Sequence, residues 1–322
     1  MNIFLAFTPY HTLLSYSAAL SLPKSENVLF IISEFPEAQV LAKALRSSSV
    51  KVFSQVICLP GAYGIPGQGT FEKVFKRKRN ISLLKSIIER NQVEQVFSGN
   101  NMRIESQAAL YYAKLMYSDC KGVYLEDGTA AYESNVPKKR GIFSRFFCRH
   151  FFGEWWQNRA VFGTSASIDS CQLLFPELAR AELKTKQITA VRRENFLKIS
   201  RDETWQDYFN YFNIDIKTVG GIDVLLIGLF SHSEKDFPHL KKIMEEVLQR
   251  TESKKLTLAI KYHPRARVKD FIDIKNNKGV LIVPQAIPLE LCYLLNKNPP
   301  KLIIGGYSTA LLTARWLFPQ AN

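Results

Sequence analysis

The residues GVYLEDGT, at positions 122–129, indicate a buried strand that ends abruptly in two carboxylates and a glycine. Apolar Val123 and Leu125 suit a strand, and Gly128 permits a sharp turn directly after it. In an open α/β sheet, ligands bind just beyond the carboxyl ends of the strands, so Glu126 and Asp127 are placed as a functional pair would be. Acidic residues also cap loops and helices, and this stretch alone leaves both interpretations open.

On both sides of this strand, short apolar runs alternate with helical patterns. In the first half, strands are predicted at 2–7, 27–32, 50–58, 93–97 and 122–125, and helices at 13–20, 37–45, 82–91 and 106–118. In the second half, strands are predicted at 224–228, 256–262, 280–283 and 302–304, and helices at 237–250, 288–295 and 308–317. This spacing is typical of parallel, doubly wound sheets.

The two alternations predict an α/β protein with two Rossmann-like domains, whose parallel sheets face a central cleft. We expect an N-terminal domain over 1–205, a linker over 206–220 that closes on two glycines, and a C-terminal domain over 221–322. The chain stops soon after Phe318-Pro319, where a further strand would be natural, so we expect a C-terminal piece to be missing.

The composition is that of a globular protein with an anionic partner. Of the 322 residues, 46% are hydrophobic and 22% charged, and the formal net charge is +14. A basic surface commonly serves nucleic acid, anionic membrane, or acidic small molecules and glycans. Five scattered cysteines without metal-ligand spacing favour a reducing compartment over a disulfide framework or a zinc site. No apolar run approaches the roughly 20 residues of a spanning helix, so a cytoplasmic or peripheral protein is expected.

Residues 138–156 mix basic and large aromatic side chains. No acidic residue occurs between Glu133 and Glu154, whereas five Lys or Arg residues interleave with seven Phe or Trp residues. A peripheral segment at the inner face of the cell membrane needs this mixture, with rings at the lipid headgroups and cations on anionic lipid. A helix with a buried aromatic face and a solvated basic face has the same composition, and both interpretations stay open. Nucleic-acid binding is weaker, since no motif for it accompanies the segment.

A strand end in the second half carries groups suited to an anion. Gly305 and Gly306 allow a ligand to approach the backbone, and Ser308 and Thr309 then begin a helix. Helix N-termini bind phosphate through hydroxyls, exposed amides and the aligned peptide dipoles. The glycines do not match a dinucleotide fingerprint, and an ordinary helix cap would use the same residues.

A second such strand end is formed by His263, Pro264 and Arg265. Pro264 fixes the backbone after the strand, and the histidine can donate a hydrogen bond to a phosphate or a proton to a leaving group. A carboxylate base in one half and phosphate-binding groups in the other suit group transfer from a nucleotide donor. The chain has no Asp-x-Asp pair to bridge a metal to a pyrophosphate, so we expect a donor with a single phosphate and no metal.

The order of the three motifs, 126–128, 263–264 and 308–309, resembles that of the bacterial sialyltransferases. The nearest groups are glycosyltransferase family 52, the lipooligosaccharide sialyltransferases, and family 38, the capsule polysialyltransferases. Residues 8–11, with the sequence TPYH, resemble the first loop of family 52. The resemblance implies the GT-B fold, an inverting mechanism, CMP-sialic acid as the donor, a bacterial surface glycan as the acceptor, and no metal.

The resemblance also implies roles for individual residues. Asp127 would be the base that activates the acceptor hydroxyl, with Glu126 the weaker candidate, and His263 would contact the CMP phosphate and protonate it as it departs. Further residues that would bind the phosphate and nucleotide are Pro264, Arg265, Gly306, Ser308, Thr309, Pro288 and Glu290. Gly228, Ser231 and Asn100 would line the cleft, and Thr8 and His11 of the first loop would also bind substrate or nucleotide.

Two alternatives stay open. One is a transferase that uses another CMP-sugar, such as CMP-Kdo, with the same phosphate chemistry. The other is a non-catalytic, basic protein that binds glycans or membranes. The acceptor, the linkage (2,3, 2,6 or 2,8), the number of sugars added and the oligomeric state do not follow from the sequence.

Overall fold

The computed structural model describes residues 1–22, 26–62, 69–134, 138–158, 160–227, 237–262, 279–296, 300–306 and 308–319. The chain divides into two compact units, Met1–Thr204 and Trp205–Asn322. Residues 206–220, expected to be a linker, belong to the second unit and contain helical segments.

The first unit is built on a parallel, seven-stranded sheet with the strand order β3-β2-β1-β4-β5-β6-β7. Its strands are β1 (Asn2–Ala6), β2 (Asn27–Ser33), β3 (Gln55–Pro60), β4 (Gln95–Ser98), β5 (Lys121–Leu125), β6 (Ser170–Leu173) and β7 (Gln187–Ala190). Every residue of β1 is buried, because a central parallel strand is covered on both faces, and after Asn2 its sequence is therefore continuously apolar.

The helices of this unit follow the strands, as a doubly wound sheet requires. They are α1 (Pro9–Ala19), α2 (Ala38–Ser47), α3 (Thr70–Arg90), α4 (Ile104–Met116), α5 (Ile142–Phe152) and α6 (Arg193–Lys198), with short 3₁₀ helices at Gly128–Ala131, Pro176–Leu178, Ala181–Thr185 and Ile199–Arg201. Since all seven strands are parallel, their carboxyl ends lie at one edge of the sheet, where α1 and α4 begin.

The second unit carries a parallel four-stranded sheet with the order β10-β9-β8-β11. Its strands are β8 (Val224–Ile227), β9 (Leu258–Lys261), β10 (Val280–Ile282) and β11 (Leu302–Gly305), and its helices are α7 (Thr204–Tyr211, which begins at the last residue of the first unit), α8 (Ile216–Val219), α9 (Phe237–Ser253), α10 (Leu289–Leu295) and α11 (Thr309–Leu317). A small core of Val224, Leu226, Met244, Leu258 and Ile260 holds the sheet to α9.

Three differences from the predicted elements have local causes. Helix α3 begins twelve residues earlier than the predicted start at 82, because the basic run at 76–79 consists of good helix formers and a Lys76–Glu72 ion pair at 2.8 Å supports it. Strands β6 and β7 were not predicted, since each has four residues and β7 is largely exposed. Residues 204–211, for which no helix was predicted, form a helix with buried aromatic side chains.

Candidate active site

The carboxyl end of β5 places Asp127 where the strand gives way to a tight turn. Gly128 has a φ of +60°, a left-handed conformation that glycine adopts without strain. The backbone N–H of Asp127 donates to the hydroxyl of buried Tyr124 at 2.8 Å. The Asp127 side chain is 26% exposed, and its carboxylate makes no helix-capping hydrogen bond. It is therefore not a simple cap.

His11 reaches Asp127 from the first turn of α1. Pro9 opens the helix, and the Thr8 hydroxyl caps it by accepting a hydrogen bond from the His11 backbone N–H at 3.1 Å. His11 Nε2 lies 3.0 Å from Asp127 Oδ1. Because the Phe7 backbone N–H donates to His11 Nδ1 at 3.4 Å, a neutral His11 carries its proton on Nε2 and donates it to Asp127.

Asn100 holds the other oxygen of the same carboxylate. It follows β4, and its amide Nδ2 donates to Asp127 Oδ2 at 2.8 Å. Its own Oδ1 accepts from the Met102 backbone N–H at 3.2 Å, which fixes the orientation of the amide. Gly99, just before it, gives room to the imidazole: a Cβ atom there would lie only 2.6 Å from His11 Nδ1.

Glu126 is fully buried and is bound on both oxygens. The Tyr10 hydroxyl donates to Oε1 at 2.7 Å, and the Leu174 backbone N–H donates to Oε2 at 2.7 Å. The Tyr132 hydroxyl also donates to Oε2, since its oxygen is occupied as an acceptor by the Phe175 backbone N–H. Burial raises the pKa of Glu126 to about 7, although these three donors favour its ionised form.

These contacts separate two carboxylates that are adjacent in sequence. Asp127 is partly exposed, and His11 and Asn100 each donate to one of its oxygens, so it can accept a proton from a hydroxyl that approaches from the solvent side. Glu126 has no exposed surface and joins three segments of the chain. Within the described ranges, no group of three or more His, Cys, Asp or Glu side chains is arranged to hold a metal ion.

Sequence reasoning overlooked the residues that support the pair. The Tyr10 and Tyr132 hydroxyls donate to Glu126, and the Tyr124 hydroxyl accepts from the Asp127 backbone N–H. Gly99 makes space for His11. Tyr10 lies inside the TPYH run, which is the one signal that pointed to it. The sequence does not show that Tyr132 folds back on Glu126, because that contact depends on the 3₁₀ turn after Gly128.

In the second unit, the predicted phosphate-binding residues lie near the ends of β11 and α10. Ser308 is the N-cap of α11, and its hydroxyl oxygen accepts from the Ala310 backbone N–H at 3.3 Å. Thr309 begins the helix, and Gly306 directly follows β11. Ser308 therefore serves as a helix cap, while its hydroxyl proton stays available to a ligand.

The predicted nucleotide residues Pro288 and Glu290 lie at the start of α10, and both are buried. The Thr313 hydroxyl contacts Glu290 Oε1 at 3.4 Å, and burial raises the pKa of Glu290. Buried Lys261 donates to the carbonyl oxygens of Pro284 and Gln285, at 2.8 and 3.3 Å, and thereby fixes the loop before α10. The predicted residues His263, Pro264, Arg265, Gly228 and Ser231 lie outside the described residues.

The basic, aromatic segment forms α5, and it exposes apolar side chains. Cys148 is buried against Ile81 and Ala108, which anchors one side of the helix. On its exposed side, Ile142 and Phe143 are 79% and 93% exposed. The aromatic face of this helix is thus not simply buried in the core. No helix among the described residues is both long and apolar enough to cross a membrane.

Comparison with known proteins identifies the family. The family model for alpha-2,8-polysialyltransferase (POLYST) matches residues 2–321. The chain belongs to the alpha-2,8-polysialyltransferase family. The resemblance to bacterial sialyltransferases is thereby confirmed, and this family member is a glycosyltransferase of the sialyltransferase class. A search of curated protein sequences found no match.

Solved structures show the same fold at low sequence identity. An alpha/beta-galactoside alpha-2,3-sialyltransferase from Photobacterium phosphoreum is 12% identical, with a TM-score of 0.56 over 97% of this chain and 87% of its own. UDP-GlcNAc 2-epimerase from Neisseria meningitidis, bound to UDP-GlcNAc, is 15% identical, with a TM-score of 0.54 over 96% of this chain and 78% of its own. These likenesses confirm the GT-B-like, two-domain α/β fold expected for this polysialyltransferase-family chain.

Proposed function

We propose that the protein is an inverting, metal-independent sialyltransferase that moves sialic acid from CMP-sialic acid to a hydroxyl of a bacterial surface glycan. The observation that carries this proposal is Asp127, a partly exposed carboxylate at the end of β5 that His11 and Asn100 hold in place. Membership of the alpha-2,8-polysialyltransferase family supports both the donor and a 2,8 linkage to a glycan that already ends in sialic acid.

In the proposed reaction, Asp127 removes the proton of the acceptor hydroxyl as its oxygen attacks the anomeric carbon of the donor sugar. The new carbon–oxygen bond forms on the face opposite the phosphate, the bond to the phosphate oxygen breaks, and CMP leaves with inversion. His11 and Asn100 orient the base, and Thr8 caps the helix that carries His11.

The second unit would bind the donor. The family resemblance gives His263, with Pro264 and Arg265, the contact to the CMP phosphate, and Ser308 and Thr309 would hold the same phosphate at the start of α11. Glu290 is buried beside Thr313, so we assign it, together with Pro288, to shaping the nucleotide pocket. Gly228, Ser231 and Gly306 remain assigned to the lining of the donor site.

The decisive experiment is Asp127→Ala. Loss of a general base lowers the rate by roughly 10²–10⁴-fold, so transfer should fall at least about 100-fold, while the thermal shift on adding CMP persists. Transfer at a near wild-type rate would remove Asp127 as the base. To distinguish the two donors, the protein is incubated separately with CMP-sialic acid and with CMP-Kdo, and the release of CMP is measured. If CMP does not shift the melting temperature of the wild type, a non-catalytic binding protein is favoured.

Helix α5 supports a peripheral position at the inner face of the cell membrane. Exposed Ile142, Phe143 and Phe146 lie on the same helix as Arg145 and Arg149. Rings and cations presented together bind anionic lipid surfaces through apolar insertion and charge attraction. This location would bring the enzyme to lipid-linked acceptors.

A further inference from the structure

A cavity of about 400 Å³ lies beside α4 and α5 in the first unit, and the proposed reaction does not use it. Its volume falls in the range of small-ligand sites, roughly 300–1,000 Å³. The cavity is lined by two arginines of α5, by one carboxylate, that of Glu154, and by the apolar or aromatic side chains of Leu110, Tyr111, Trp155 and Trp156. The rest of the lining consists of amide and hydroxyl side chains: Asn101, Gln107, Gln157, Asn158, Ser165 and Ser167.

Two pairs of hydrogen bonds between side chains and backbone hold the cavity lining in place. Gln107 of α4 binds the backbone of Gln157 twice, donating from Nε2 to the carbonyl oxygen at 3.1 Å and accepting from the N–H at 2.8 Å. Asn158 binds the backbone of Arg140 in the same way, at 3.1 and 2.9 Å. These four hydrogen bonds fix the segment between α5 and residue 158 against its neighbours, so the cavity is preformed.

The cavity lining carries two arginines and one carboxylate, that of Glu154, so its net charge is positive. The Arg145 side chain forms no hydrogen bond or ion pair with any residue that the structure describes, and Arg149 has only a long contact, 3.7 Å, with the exposed carboxylate of Glu154. An exposed pair of this kind is weak. Because the planar guanidinium group matches a carboxylate with two parallel hydrogen bonds, the two arginines suit a carboxylate ligand.

The remaining lining suits a sugar. Tyr111 and Trp155 stack at 6.0 Å between ring centroids and provide an aromatic surface for the C–H face of a pyranose ring. Asn101, which is 1% exposed, accepts from the Gly163 backbone N–H at 2.8 Å, but its amide nitrogen has no hydrogen-bond partner among the described residues. A ligand oxygen would satisfy this buried donor.

We propose that this cavity binds one acidic sugar residue of the acceptor glycan, at a position other than the sugar that reacts. Asn101 directly follows Asn100, which holds the base, so the cavity adjoins the same loop as the reacting groups. A phospholipid headgroup would use the arginines but not the aromatic surface and the amides, and we therefore favour the sugar. The inference rests on the proposed sialyl transfer and adds a second point of contact for the acceptor.

The test measures binding of a trimer of α-2,8-linked sialic acid to the full chain without any donor, by titration calorimetry. Arg145→Gln should weaken binding by roughly 10-fold or more, as expected for the loss of a charged hydrogen bond. Lys139→Gln, which removes the same charge from the same segment but does not line the cavity, should change binding by less than about twofold. Neutral maltotriose should not bind.

Kinetics supply a second readout. Arg145→Gln should raise KM for the trimer and leave kcat and donor hydrolysis unchanged, because Arg145 is not among the hydrogen-bond partners of Asp127. Equal binding by Arg145→Gln and the wild type, or equal losses in Arg145→Gln and Lys139→Gln, would overturn the proposal. If Arg145→Gln binds anionic vesicles more weakly than the wild type but binds the trimer equally well, the proposal is overturned in favour of a lipid site. A trimer that binds through Arg145 but is never sialylated would instead contradict the proposed function.

Discussion

Glu126 and Asp127 are neighbours in the chain but have opposite surroundings. Asp127 keeps part of its carboxylate in contact with solvent, whereas Glu126 accepts hydrogen bonds from Tyr10, Tyr132 and the backbone of Leu174. The sequence identified this pair of carboxylates, and the resemblance to a known family favoured Asp127 over Glu126 as the base. The sequence does not contain the reason for that ranking, since the donors to Glu126 come from positions 10, 132 and 174.

At residue scale, Gly99→Ala tests how strictly the proposed base, Asp127, must be oriented. The added Cβ would press on the His11 ring, so His11 must move and Asp127 loses one of its two donors. We expect kcat to fall roughly 10- to 100-fold, since a displacement of about 1 Å near the reacting atoms has effects of this size. Gly69→Ala is the matched control, because its Cβ would meet nothing within 4 Å. Equal activity in the two variants would show that His11 does not orient the base.

A second residue-scale prediction concerns pH and Glu126. Burial raises the pKa of this carboxyl from 4.5 to about 7. Between these values the folded protein holds a proton that the unfolded chain has released, so the free energy of unfolding falls as the pH rises, by at most about 3 kcal/mol. The variant Glu126→Gln has no ionisable group at this position, so its stability does not carry this pH dependence.

Urea unfolding of the wild type and Glu126→Gln at about pH 5 and about pH 8 checks this linkage. The stability of the wild type relative to the variant should decrease from the lower to the higher pH. A difference between the two proteins that stays constant with pH would show that the three donors hold Glu126 ionised throughout, and that burial does not raise its pKa.

At the scale of elements, α5 combines an anchored side with an exposed one. Cys148 packs against α3 and α4, while Phe143 extends into solvent. Phe143→Ser should weaken binding to anionic vesicles by roughly 10- to 100-fold, the effect of losing one buried aromatic ring, with no loss of folding stability. Leu115→Ser on α4, where the side chain is also exposed (66%), is the control. Identical vesicle binding by both variants would remove α5 as the contact.

The sequence predicted most of the elements and missed a few for identifiable reasons. Central strands such as β1 are almost entirely apolar, so their pattern is strong. Strand β7 is short and exposed, which leaves it with no apolar pattern. Composition predicted the character of α5 but did not show which rings would be exposed, because that depends on how Cys148 and Trp156 pack in the core.

At the scale of the whole molecule, the net charge of +14 predicts a dependence on salt. Screening lengths shrink from about 30 Å at 0.01 M salt to about 8 Å at 0.15 M, so the attraction between the basic protein and its anionic donor weakens. We expect kcat/KM for CMP-sialic acid to fall several-fold over this range, with kcat at saturating donor unchanged. Sucrose at equal osmolality is the control, and a kcat/KM that does not respond to salt would contradict the prediction.

The hydrogen bonds to Glu126 have a consequence for mutational tolerance. Replacement of Glu126 by an apolar residue leaves the Leu174 amide and two tyrosine hydroxyls without their acceptor at a position with no exposed surface. Replacement of Asp127 removes the acceptor of His11 and Asn100, but at a side chain that is 26% exposed, where water can take its place. A library scored only for the abundance of folded protein would therefore be depleted of substitutions more strongly at 126 than at 127. The proposed catalytic position could then be distinguished from its structural neighbour before any sugar had been supplied.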